Sequence, residues 1–412
     1  MPDLIDLAQR AIEHPAAALL HEERCLAQRG LPELCTACFD ACPMEAVSFD
    51  LLDAAGTHGV LGMPEPARPR IDAEACTSCG SCVAACPTGA LGAMGALSDD
   101  ALLDAVRHAA RAVCLRSARE RTASNGSTDI DQGEQEGSSH LGKPGAPHVA
   151  FVCERDAAGV DGEGASIVLP CLAWIDEALL VHAVAEGAQL VVLSACACTT
   201  CPQRHAVREL PRTAQRARRI ADLWRLDGTI ELIDERTDAD ARSGTDGGMS
   251  RRGLLSRARA TIVDAATSAA ALQTEAIVGK AGEAKSAEPD RRRWQLLDDL
   301  HAVGLPDGAD TVPRVLAPRA SIDFERCSGC AHCALFCPTG ALRKSRKGPG
   351  GTTVLEFDAT RCRDCGACVE VCRYGALVCD ESLTVDELFA FDPCELVIPK
   401  RRVLPERRIL PE

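Results

Sequence analysis

Cysteine is the residue whose number and spacing can do chemistry in this chain: 24 of its 412 residues. Three stretches repeat one spacing: residues 76–91 (CTSCGSCVAACPTGAL), 327–342 (CSGCAHCALFCPTGAL) and 362–377 (CRDCGACVEVCRYGAL). Residues 35–47 (CTACFDACPMEAV) are a shortened version. Three thiolates on a tight loop can reach three iron corners of one cubane. The fourth, usually followed by proline, starts a turn that points away toward a second cubane. Proline suits that place because the first helical turn does not need its N–H. A zinc site needs four ligands in closed pairs, and this pattern offers three plus one.

The spacing C-x2-C-x2-C-x3-C-P resembles that of bacterial-type 2(4Fe–4S) ferredoxins, and the copies fall into two pairs, within residues 25–91 and 321–378. The resemblance implies cross-stitched ligand sets. In the C-terminal pair, Cys327, Cys330, Cys333 and Cys372 hold one cluster, and Cys362, Cys365, Cys368 and Cys337 the other. Arg373 stands where the pattern has proline. In the N-terminal pair, Cys76, Cys79, Cys82 and Cys42 hold one cluster. The other takes Cys35, Cys38 and Cys86, but the pattern's first cysteine falls at Pro32. Cys25 is the candidate to loop back as fourth ligand; the alternative is a three-cysteine site, either 3Fe–4S or an open 4Fe–4S with a labile iron. An oxidised cluster with four thiolates carries about −2. Loops rich in alanine and glycine suit the burial of that charge against backbone N–H groups.

Between the pairs, His148–Cys153, Ser166–Cys171, Gln189–Cys196 and Thr229–Ile233 are short apolar runs. Trp174–Glu186 and Gln203–Trp224 have helical length, with Pro211 expected to kink or split the second. Apolar strands separated by helices predict a small parallel sheet. Ligands of such sheets bind at the carboxyl ends of the strands. Cys153, Cys171, Cys196, Cys198 and Cys201 are therefore candidate metal ligands; the alternative is that these small thiols fill the core. FVCE, LPCLAWIDEALLVHAVAEGA and the pair Cys196-x4-Cys201 make this stretch resemble the iron–sulfur delta subunit of methyl-viologen-reducing hydrogenase. The resemblance implies a 2Fe–2S cluster on Cys153, Cys171 and Cys201, with Cys196 or Cys198 as the fourth ligand. The family's CxxC after the first strand is absent, since Glu154, Arg155 and Asp156 follow Cys153. Cys114, Cys379 and Cys394 have no partner at ligand spacing and read as buried or free thiols.

These elements predict an α+β chain with an α/β insert: two ferredoxin-like two-cluster modules flanking a small parallel α/β domain. The expected divisions are 1–98, 99–235 with a disordered insertion at 121–147, a linker with short helices at 236–310, and 311–412. The linker's last helix is expected from about Arg291 to Val303. A net charge of −15 and 3% aromatic residues exclude nucleic-acid binding, which needs basic grooves and stacking rings. The first 25 residues carry Asp3, Asp6, Glu13, Glu22 and Glu23 without an apolar core, so no signal peptide is expected. No apolar run approaches the roughly 20 residues that span a bilayer. A cytoplasmic location follows as the expectation, because clustered thiols in a reducing compartment mean metal. No glycine-rich nucleotide fingerprint occurs, which argues against a flavin or nicotinamide site.

The function expected is relay of single electrons between redox partners, with hydrogenase, formate dehydrogenase or heterodisulfide-reductase-like subunits as candidates by resemblance. The alternatives are a redox enzyme with its own site in the middle domain, or an iron–sulfur sensor. Two basic stretches are candidates for docking an acidic partner: Arg343, Lys344, Arg346 and Lys347, and the stripe Arg208, Arg212, Arg216 and Arg219.

Overall fold

The computed structural model describes residues 19–29, 35–50, 68–93, 95–124, 148–156, 164–233, 290–345, 348, 352–380 and 383–398. At the N-terminal end, β1 (Leu19–Leu20) pairs antiparallel with β4 (Leu91–Gly92), and β2 (Val47–Asp50) pairs antiparallel with β3 (Arg68–Ile71). Two one-turn helices, α1 (Ala37–Ala41) and α2 (Ser81–Ala85), end at Cys42 and Cys86. The cysteine spacing leaves room for no more than that turn between the cluster loop and the last thiol.

The C-terminal end repeats the plan. β9 (Arg319–Ile322) pairs with β12 (Leu377–Asp380), so that the strand before the first cysteine loop meets the strand after the second. β10 (Leu342–Lys344) and β11 (Thr353–Phe357) lie antiparallel, and β13 (Cys394–Ile398) adds a third strand against β11. The short helices here are α7 (His332–Leu335) and α8 (Ala367–Glu370).

The middle of the chain forms a four-stranded parallel sheet in the order β6 (Ala165–Leu169), β5 (Val149–Cys153), β7 (Leu190–Ser194), β8 (Thr229–Ile233). The expected strands are all present, shortened by one or two residues at some ends, with β6 beginning one residue earlier. α4 (Glu177–Ala185) is N-capped by Asp176, whose carboxylate accepts from the Leu179 N–H at 3.0 Å. Its residues from Ala178 to Val184 are all buried. Pro211 lies in the first turn of α5 (Leu210–Leu223), where its missing N–H costs nothing, and it separates this helix from a single turn at 204–207.

Two helices depart from the sequence reading. α3 (Asp99–Ser124) was not foreseen, and its last residues occupy the start of the stretch expected to be a disordered insertion; the rest of that insertion lies outside the described residues. Leu102, Leu103, Val106, Ala110 and Val113 recur every one, three or four residues and are buried, which is the stripe a core-facing helix needs. The second is α6 (Arg291–Val303), expected as a short helix closing a connector. It is part of the main core: Leu296, Leu297 and Leu300 are buried with the residues of α3 and α4. Asp299 also meets His182 of α4 at 2.7 Å. The other helix expected in the linker, around 251–278, lies outside the described residues.

Candidate iron–sulfur centres

Four cavities are each walled by cysteines from two different loops. Cys42, Cys76, Cys79 and Cys82 line one of about 420 Å³. Cys25, Cys35, Cys38 and Cys86 line one of about 330 Å³. Cys327, Cys330, Cys333 and Cys372 line a third of about 360 Å³, and Cys337, Cys362, Cys365 and Cys368 a fourth of about 370 Å³. Among the described residues, no three His, Cys, Asp or Glu side chains gather as they would around a single metal ion. Zinc would draw sulfurs to about 2.3 Å from one centre. Four thiols brought from two loops to the wall of one shared cavity match the three-plus-one pattern of a polynuclear cluster instead.

The backbone that sets this spacing is the same in each copy. The residue just before the second cysteine has positive φ in all three full motifs: Ser78 at 57°, Gly329 at 72° and Asp364 at 51°. So has the residue just after it: Gly80 at 79°, Ala331 at 58° and Gly366 at 76°. Left-handed residues on both sides of a cysteine curl the chain around the cavity, and such alternation turns backbone N–H groups toward an anion. Past the last cysteine, a turn closes on itself, from the Gly89 N–H to the Cys86 carbonyl at 3.3 Å and from Gly375 to Cys372 at 2.9 Å. The next N–H then reaches the sulfur: Ala46 to Cys42 Sγ at 3.2 Å, Ala90 to Cys86 Sγ at 3.2 Å and Ala376 to Cys372 Sγ at 3.3 Å. At Cys337 the donor is Leu342, at 3.4 Å. Such bonds stabilise sulfur that carries negative charge.

Cys25 reaches its cavity because its segment is tied to the far end of the module. The β1–β4 pairing, the His21 N–H to Ala90 carbonyl bond at 2.7 Å and the Arg24 Nη1 to Gly89 carbonyl bond at 3.2 Å bring residues 21–29 beside Cys86. Burial, with neighbouring thiols adding to it, pushes the thiols of Cys38, Cys82 and Cys333 up to about 12. Burial thus favours the neutral thiol at these three positions in the iron-free fold.

Cys379, expected as a buried or free thiol, lies beside a cluster cavity. It lines the cavity of Cys337, Cys362, Cys365 and Cys368, and hydrogen bonding to it, with burial second, pushes the Cys368 thiol up. The signal in the sequence is strand period: Cys379 lies two residues after the buried Leu377, on the same face of β12. Cys114 is half-buried, its thiol donating to the Gly187 carbonyl at 3.0 Å. Cys394 is exposed.

In the middle domain, Cys153 ends β5, Cys171 follows β6, and Cys196, Cys198 and Cys201 follow β7. Burial pushes the Cys171 thiol up to about 11, and the charges of Cys79, Cys153 and Cys201 all act on it. Cys198 is buried in the same core, while Cys196 is half-buried. Cys171 lies close enough to Cys79 of an N-terminal cavity for the two to interact. Trp174 closes the cavity of Cys42, Cys76, Cys79 and Cys82, and its Nε1–H donates to the Ser78 carbonyl at 2.9 Å.

The basic stretches are partly engaged within the chain. Arg216 pairs with Glu177 and Arg212 with Glu209, so the stripe on α5 is not a continuous free face. Arg343 lies opposite Glu356 at 4.0 Å; Arg346 and Lys347 are outside the described residues.

Comparison with known proteins bears on these sites. The 4Fe-4S dicluster domain family matches residues 33–90 and 326–376, and a second family of the same description matches 68–124. Pyruvate synthase subunit PorD of Methanothermobacter marburgensis is 34% identical over 56 residues, 14% of this chain and 58% of that protein. DNA-directed RNA polymerase subunit Rpo3 of Methanosarcina mazei is 36% identical over 59 residues, 14% of this chain and 21% of that protein. The matched part thus spans 58% and 21% of the lengths of these relatives. No solved structure matches. Ferredoxin-type modules of the 4Fe–4S dicluster kind therefore stand at both ends of the chain. Among the described residues no helix is long and apolar enough to cross a membrane.

Proposed function

We propose that this chain is a polyferredoxin-type subunit that relays single electrons through four 4Fe–4S clusters. The observation that carries the reading is that four cavities are each walled by one of the cysteine sets expected from the cross-stitched motif. Cys42, Cys76, Cys79 and Cys82 hold one cluster, and Cys25, Cys35, Cys38 and Cys86 the next. Cys337, Cys362, Cys365 and Cys368 hold the third, and Cys327, Cys330, Cys333 and Cys372 the fourth. The clusters, when bound, supply the one-electron chemistry. The chain supplies their spacing, N–H donors to the sulfurs and exclusion of water.

The modules at 1–98 and 311–412 flank a middle domain over 99–235, joined by 236–310, of which α6 packs into the core. The middle domain's thiols are proposed as a further, 2Fe–2S site on Cys153, Cys171 and Cys201, with Cys196 or Cys198 completing it. Its support is the electrostatic contact of Cys171 with both Cys153 and Cys201. Partners are redox proteins. The named relative is a pyruvate synthase subunit, so a complex of that kind joins the hydrogenase-, formate-dehydrogenase- and heterodisulfide-reductase-like candidates. Anaerobically reconstituted protein should contain about 16 iron and 16 acid-labile sulfide per chain, with about 2 more of each for a 2Fe–2S cluster. Fewer than about 12 iron after full reconstitution would overturn the four-cluster reading.

A further inference from the structure

The two modules meet at a small cavity that holds no cysteine. Arg24, Arg293, Arg361 and Arg363 line it, with Asp290 as the one carboxylate. Its remaining wall includes Thr88 and Thr339, which occupy the same place in the two copies of Cys-Pro-Thr-Gly. Each threonine hydroxyl touches its own cluster loop: Thr88 lies 3.6 Å from the Cys86 sulfur, and Thr339 lies 3.7 Å from the Cys337 sulfur. The cavity of Cys25, Cys35, Cys38 and Cys86 therefore faces that of Cys337, Cys362, Cys365 and Cys368 across a shared arginine-lined gap.

Cross-contacts hold the two sides in this relation. Arg29, whose backbone N–H donates to the Cys25 carbonyl at 3.2 Å, sends its guanidinium to the Leu335 carbonyl at 3.2 Å, where it interacts with Cys337 and Cys365 of the other module. Arg363, next to Cys362, interacts with Cys86 and is held by Asp290 at 2.6 Å. Arg293 donates to the Thr360 and Ala359 carbonyls. Asp358 acts on Arg293 as well as Asp290 does, and Asp176 and Glu177 act on Arg363. Anionic centres in the walls on either side would add to that countercharge for the clustered guanidiniums.

We infer that this arginine cavity is the electron crossing between the modules, its guanidiniums being the countercharge that holds up the potentials of the two inner centres it separates. The inference rests on the four-cluster reading. One electron leaves the inner centre on one side, which is oxidised, and reduces the inner centre on the other; no bond is made or broken and no proton moves. A low-potential redox protein supplies the electron at one end, and an oxidised one takes it at the other. Positive charge nearby favours the reduced, more negative form, so removing it lowers the potential.

The test is an EPR-monitored redox titration of the full, cluster-loaded chain. Cys25→Ser marks which signal belongs to the inner N-terminal centre. In Arg363→Gln, the ratio of reduced to oxidised inner centres at a fixed poise should fall about tenfold, about 59 mV for a one-electron couple. The centres of Cys42 with Cys76, and of Cys327 with Cys330, should move less than about twofold. Arg363→Lys, which keeps the charge, should restore the inner ratio. Arg24→Gln gives a second reading should Arg363→Gln fail to load. Four loaded clusters whose potentials shift together, or not at all, would overturn the crossing alone. A wild-type chain that loads fewer than four clusters would instead overturn the reading beneath it.

Discussion

Truncating Trp174 should uncouple the middle domain from the N-terminal cluster loop. The indole is 2% exposed, and it donates to the Ser78 carbonyl at 2.9 Å. Trp174→Ala removes that burial and should cost about 3–5 kcal/mol. Trp174→Phe keeps most of the ring but loses the donor, and should cost about 0.5–1.5 kcal/mol for the hydrogen bond, more if the Ser78 carbonyl stays dry. With a urea slope of about 3 kcal/mol/M, the alanine variant's midpoint should fall by about 1–2 M. Gly80 provides a cross-check. A Cβ there would lie 2.6 Å from the Trp174 ring, at a backbone φ of +79°. Gly80→Ala thus combines left-handed strain of about 1–2 kcal/mol with a clash that exists only while the indole is present. The two substitutions should be less than additive, with a coupling of about 0.5–3 kcal/mol. Anaerobic urea denaturation of the four proteins, wild type, both single variants and the double variant, measures the cycle. Strict additivity, or Trp174→Ala within about 1 kcal/mol of wild type, would refute the contact as the coupling element.

Cys25→Ser should convert one N-terminal cluster to a 3Fe–4S form and leave the others intact; an EPR spectrum identical to wild type would remove Cys25 from the ligand set. Cys379→Ala should retain full iron content while Cys368→Ala loses it, as iron analysis after reconstitution will show; equal loss in both would make Cys379 a ligand. Reversing the charges of Arg343, Lys344, Arg346 and Lys347 should slow reduction by an acidic redox partner at low salt, with the difference closing as the Debye length falls below about 8 Å. Stopped-flow rates that match wild type at low ionic strength would leave this stretch as ordinary surface.

What the sequence determined by itself was local. The reach of a thiol from a short loop depends only on the residues within that loop, so the repeated motifs were legible from their spacing; the cross-stitched sets followed from the ferredoxin resemblance, and Cys25 as a fourth ligand stayed open against a three-cysteine site. The parallel strands of the middle domain were legible for the same reason, as short apolar runs separated by helical lengths. α3 was missed: Leu102, Leu103, Val106, Ala110 and Val113 carry its apolar stripe, but the small residues among them leave the period faint. The tertiary structure decided which loops face one another. Asp290, Arg291, Arg292 and Arg293 read as a polar helix start, yet each turns to a different part of the molecule. Arg291 meets Asp100 at 2.7 Å, Arg292 meets Asp99 at 2.7 Å and Asp176 at 3.0 Å, Arg293 reaches the Ala359 carbonyl at 3.0 Å, and Asp290 holds Arg363. A charged side chain carries no mark in the sequence of the distant partner that will bury it. That pairing depends on where the packed cores bring the chain, and so the meeting of the two modules, the fifth thiol beside Cys368 and the tryptophan over Cys79 emerged only in three dimensions.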